Sequence, residues 1–202
     1  DLEEAKAAAQ ASGKPILSLR LLGQLDADLS CANSRFFRVA LYPNAEVSKL
    51  LRDRFILHWQ SVRPVPLVTV DFGDGRTLER TLTGNSIHYV LSPDGKPIEA
   101  LPGLYGPGAF LRQLQQAEQA VMDYTATPEA ERGSFLQEYH QQRLNALQQQ
   151  WVGDLQALGV SAPDLALPVG TEDGNPTAIE AGQLAMTKMV VEIPLVMSVL
   201  SA

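Results

Sequence analysis

Cys31 is the single cysteine of the 202-residue chain, and its surroundings favour nucleophilic chemistry. The pattern opens a helix at Cys31 or just before it, with Ser30 as a candidate N-cap. Backbone N–H groups and the helix dipole at that position stabilise an anion, so the thiol pKa falls and a thiolate forms near neutral pH. One cysteine makes neither an internal disulfide nor a Cys-based zinc site. Ser34, three residues on, can donate a hydrogen bond to a thiolate but cannot attack a disulfide. Turnover at Cys31 would therefore need an outside thiol. The competing reading is a small apolar side chain, reduced and packed in the core. Asp26 and Asp28 would raise a nearby thiol's pKa, or they solvate an exposed loop. Arg35 and Arg38 follow by one turn. They could hold an anionic thiol substrate, or line a solvated helix face.

The remaining motifs are weaker. His58, His88 and His140 show no metal-ligand spacing. Gly73-Asp74-Gly75 is turn chemistry, since it lacks the strand–glycines–helix context of a phosphate loop. The chain carries no serine-hydrolase elbow, zinc signature or dinucleotide fingerprint, and no cofactor is expected.

Composition bounds the classes. The chain is 45% hydrophobic and 19% charged, enough to bury a core and unlike a disordered or collagenous sequence. The formal charge of −7 leaves no basic patch for phosphate contacts, so no nucleic-acid partner is expected. Residues 1–107 hold 12 basic and 12 acidic side chains, and residues 108–202 hold 4 and 11, so the whole imbalance falls in the second part. No run of eighteen apolar residues exists, and no transmembrane segment is expected. The chain starts at Asp1, which we read as a processed or trimmed end and which favours an exported or periplasmic setting over a cytoplasmic one.

The elements that would position Cys31 follow from periodicity. Leu2, Ala5, Ala8 and Ala9 share a helical face that Gly13 and Pro15 end. Ile16–Leu22 reads as a buried strand. Asn44 caps a short helix bearing Val47, Leu50 and Leu51, and Phe55–Trp59 reads as a second strand. Residues 61–66 read as a connector. A hairpin follows, Leu67–Phe72 with Arg76–Thr83. A second pairs Ile87–Leu91 with Pro97–Leu101 around Ser92-Pro93-Asp94-Gly95. Phe110, Leu114, Ala117, Val121 and Tyr124 form a helical stripe. Thr127-Pro128 should start a long helix whose stripe, Leu144, Leu147, Trp151, Leu155 and Leu158, must be buried. A last helix from about Pro176 and an apolar run at 193–200 complete the chain.

That order of helix, strand, Cys-bearing helix, strand, hairpin and helix resembles the thioredoxin-like superfamily. Lys14-Pro15-Ile16-Leu17 is similar to the opening of the first central strand in bacterial thioredoxin-related proteins. Cys31-Ala32-Asn33-Ser34 takes the place of their Cys-x-x-Cys. Asn44-Ala45-Glu46-Val47, Leu50-Leu51 and Phe55 resemble the run after the second cysteine, and Tyr89 to Lys96 resembles the late strand and turn. The resemblance spans residues 1 to about 120. It departs at three points. Ser34 stands for the resolving cysteine, Ser86 stands where the family places its cis-proline beside the active site, and 61–83 reads as a hairpin in place of a helix. Ser86 should follow a trans bond, because a cis bond before a residue other than proline costs ~3 kcal/mol.

If Ser86 lines the site, His88 approaches it too, since the two share a strand face. A Cys31–His88 pair would make a thiolate–imidazolium or half of a metal site. The alternative is a hydrogen-bonded histidine inside the sheet. The resemblance implies an α/β fold, a three-layer thioredoxin-like domain with a central mixed sheet at 1–120, and an acidic helical extension at 121–202. Two functions are expected to compete. One is a binding or structural subunit of a larger assembly with a degenerate active site, contacting a protein partner or a second copy through the C-terminal apolar segment. The other is a monothiol redox protein using Cys31, with Ser34, Ser86 and His88 around it.

Overall fold

The first strand sets the frame. A computed structural model describes residues 1–27, 30, 32–81 and 84–159, without the side chains of Ala32 and Trp151. Cys31, the expected helix from Pro176 and the apolar run at 193–200 lie outside the described residues. β1 (Ile16–Leu22) is buried almost throughout, as a central strand with neighbours on both edges must be. It pairs in parallel with β2 (Ile56–Arg63) and antiparallel with β5 (Ser86–Leu91), which pairs antiparallel with β6 (Pro97–Pro102). The resulting mixed sheet has the order β2-β1-β5-β6. The protein is thus α/β with a mixed central sheet.

Alternation along β1 sends side chains to two layers. Leu17, Leu19 and Leu21 enter the main core with Phe37, Leu41, Val47, Leu51, Val90, Phe110 and Leu114. Ile16 enters a smaller cluster on the other face, with Ala5, Ala9 and Leu91. That second face is covered by α1 (Leu2–Ser12), which Asp1 caps through Glu4 and which Gly13 ends in the left-handed conformation. Ala8, expected on the buried stripe, is exposed; the small face of α1 is only as wide as Ala5 and Ala9.

The main core is roofed by three helical segments. α2 (Ala32–Phe36) runs on into a π-helical turn, Phe37–Leu41. α3 (Ala45–Arg54) starts at Asn44, whose side chain accepts from the N–H groups of Glu46 and Val47. α4 (Pro107–Ala126) buries Phe110, Leu114, Ala117, Val121 and Tyr124, the stripe its spacing predicts.

Three expectations are corrected. Residues 61–63 extend β2, and the connector shrinks to 64–66. Thr127 ends α4 instead of starting the next helix: its hydroxyl donates to the Asp123 carbonyl at 2.8 Å. The next helix, α5 (Arg132–Ala157), begins after a short 3₁₀ turn. The stripe expected to be buried is open to solvent at Leu144, Leu147 and Leu158. β3 (Leu67–Asp71) and β4 (Thr77–Thr81) form the expected hairpin as a separate two-stranded sheet.

The chain divides into two compact units, residues 1–143 and 144–202. The start of α5 belongs to the first, where Phe135, Leu136 and Tyr139 pack on the main core. No helix among the described residues is long and apolar enough to cross a membrane.

Candidate functional site

The end of β1 and the start of β5 lie beside each other, because Leu21 is opposite Ser86 across the sheet. The loop after β1 then brings Ser30 to α2. The Ser30 and Ser34 hydroxyls share a short hydrogen bond, and both residues are buried. One residue earlier on α2, Asn33 Nδ2 donates to Ser86 Oγ at 2.8 Å. Ser86 is itself buried, and its N–H donates to Asn85 Oδ1 at 2.9 Å. No cis peptide bond occurs among the described residues, and Ser86 follows a trans bond. The structure therefore places two neutral polar pairs on the start of α2, Ser30 with Ser34 and Asn33 with Ser86.

Two features hold that loop. Gly23 sits at φ 76°, where a Cβ would stand 3.2 Å from Val65 Cγ1. Its N–H donates to the Arg63 carbonyl at 2.9 Å. Arg38 donates to the backbone carbonyls of Asp26 and Ala27 at 3.2 and 3.0 Å. The Arg38 guanidinium thus braces the loop backbone, while Arg35 is exposed.

His88 shares its strand face with Ser86 but meets different partners. Its Nε2 and the Tyr42 hydroxyl share a hydrogen bond of 2.7 Å, and its ring lies edge-on to Phe37 and Phe110 at 4.9 and 5.0 Å. Nδ1 is buried with no hydrogen-bond partner among the described residues. Burial removes the solvation an imidazolium needs, and the pKa falls to about 4. The same burial pushes the Tyr42 phenol well above its ordinary value. This is a neutral pair inside the core.

Next to it lies a feature the sequence did not announce. A cleft of about 260 Å³ runs between β2 and α3, reaching Tyr42 and His88 at one end. Leu57 and Trp59 of β2 stand opposite Leu17 and Leu19 of β1, so they face the main core. Among the described residues β2 has no second neighbour in its sheet, and Leu57 and Trp59 remain 54% and 40% exposed. Ser48, Leu51 and Arg52 of α3 form the opposing wall. The period-two spacing of Leu57 and Trp59 was the available signal; the gap beside them depends on where α3 lands.

His58 points its Nδ1 to Ser18 Oγ at 2.8 Å. Partial burial, then the positive charges of the N-terminus and Arg20, lower its pKa. His140 meets the Tyr139 ring. Among the described residues no group of three His, Cys, Asp or Glu side chains could hold a metal.

No protein-family model matches the chain, and no curated protein matches it.

Proposed function

We propose that the chain is a thioredoxin-like protein without the dithiol motif that serves as a binding subunit in a larger assembly. The fold part of this reading is supported by the strand order β2-β1-β5-β6, with one parallel and two antiparallel pairings. It is also supported by the helix that follows β1 and carries Asn33 and Ser34. The observation that carries the binding part is a concentration of apolar surface. Between residues 57 and 72 the chain exposes Leu57, Trp59, Val62, Leu67, Val70 and Phe72, on a sheet edge unpaired among the described residues and on the hairpin that follows it. An unpaired edge presents free N–H and C=O groups to a partner strand, and grouped apolar side chains mark an interface. The partner is a protein or a second copy of this chain.

Light scattering on the full chain tests it, alongside a variant carrying Val62→Glu and Phe72→Glu. Both side chains are exposed, so the variant should keep its thermal transition. Association of the wild type, alone or with its native partner, should be lost in the variant. Equal association of the two would refute the reading.

A second reading, monothiol exchange at Cys31, is favoured by the Asn33–Ser86 contact. It sets Ser86, which stands at the family's cis-proline place, against Asn33 of α2. In that reading the Cys31 thiolate attacks one sulfur of a disulfide and expels the other as a thiolate. An external thiol then releases the mixed disulfide. Alkylation by iodoacetamide at about pH 6, faster than that of free cysteine, is its signature. A rate at or below free cysteine removes it.

A further inference from the structure

We propose that the cleft between β2 and α3 binds a small aromatic carboxylate, its ring in the cavity and its carboxylate on Arg52. At about 260 Å³ the cavity exceeds the ~150 Å³ at which an apolar cavity already takes up benzene. It has room for one substituted ring. Its apolar walls come from both elements, Leu51 of α3 against Leu57 and Trp59 of β2.

The polar groups on the α3 wall choose the ligand. Ser48 and Arg52 are four residues apart on α3, so they share one helix face. Both line the cleft, and neither the Ser48 hydroxyl nor the Arg52 guanidinium has a hydrogen-bond or ion-pair partner among the described residues. Among the described residues no acidic side chain lines the cleft. The two lining histidines are engaged, His58 with Ser18 and His88 with Tyr42. Arg52 is thus the one fixed charge among the described residues that line the cleft, a planar donor at the edge of an apolar hole. That combination selects a carboxylate, which a guanidinium grips through two parallel bonds, on an apolar body that displaces water from the leucines. A neutral ligand of the same shape leaves the guanidinium unused.

The test is a titration with 4-phenylbutyrate, followed by Trp59 emission in a Trp151→Phe background that leaves one tryptophan. The neutral comparator is 4-phenylbutyramide. The acid should give a saturable change. The amide should bind about tenfold more weakly, the scale of one charge-assisted hydrogen bond. Arg52→Gln should weaken the acid by a similar factor and leave the amide unchanged. Arg52 is exposed, so this variant should fold, with circular dichroism as the check. No saturable change with the acid would overturn the proposal. So would equal affinities for acid and amide, or an Arg52→Gln variant that binds the acid as the parent does.

Discussion

Acid should destabilise this protein in a specific window, through His88. The residue is buried between Phe37 and Phe110 with Tyr42 on its Nε2, and its pKa falls from 6.5 to about 4. The unfolded chain therefore binds a proton between those values that the folded chain refuses. Stability from this group is fully present above pH ~6.5 and is lost as pH falls toward ~4. A full shift of that size corresponds to ~3 kcal/mol at 1.36 kcal/mol per unit. Between pH ~7 and pH ~4.5 the lost part is about 2.4 kcal/mol. His58, whose pKa is lowered mainly by partial burial, adds a smaller loss of the same sign. Urea unfolding followed by circular dichroism at the two pH values measures the total. His88→Gln isolates the term, because glutamine can still bond the Tyr42 hydroxyl but does not titrate. The variant should be less stable at neutral pH yet lose ~2 kcal/mol less than wild type on acidification. Equal acid losses in the two proteins would refute the argument, and would mean that water or a structural opening solvates the imidazolium.

Two further perturbations test the frame of the site. Arg143 holds Glu99 at 3.1 Å, where Tyr139 also donates to Glu99 at 2.7 Å. Arg143→Ala should cost ~1–3 kcal/mol in urea by leaving a largely buried carboxylate short of donors. Adding Glu99→Gln should cost less than the sum of the single changes, and strict additivity would count against the pairing. Gly23→Ala puts a side chain at φ 76° and 3.2 Å from Val65, and should cost ~1–3 kcal/mol. A thermal transition unchanged from wild type would show that the turn after β1 can relax.

The elements legible in the sequence are those whose local pattern and tertiary setting agree. Ile16–Leu22 is apolar enough to be central wherever it lands. Asn44 carries its own capping chemistry, and the stripe from Phe110 to Tyr124 has only one face to bury. The failures share a cause. Gln60-Ser61-Val62-Arg63 has no apolar pattern because its strand sits at an edge, where pairing to β1 alone fixes the backbone. Thr127 can cap either helix end, and the Asp123 carbonyl claimed it. The Leu144 and Leu147 stripe has the spacing of a buried face, yet spacing does not supply a neighbour. The cleft was the least legible feature. Leu57 and Trp59 are ordinary strand residues until α3 stops short of covering them.

The chemistry around Ser34 bears on which function the fold carries. A thiolate site works by offering an anion unspent donors and an approach route. The described groups next to position 31 spend theirs on one another: Ser30 on Ser34, Asn33 on Ser86, and Arg38 on the carbonyls of Asp26 and Ala27. Such bonds satisfy polar groups and hold a loop, whichever function the loop serves. Open binding capacity is found in other places too. Among the described residues these are the unpaired edge of β2, the exposed side chains of Leu57, Trp59 and Val62, and Arg52 over an apolar cleft. Binding uses unsatisfied surface, and exchange chemistry uses an activated sulfur. The alkylation rate of Cys31 decides between the two.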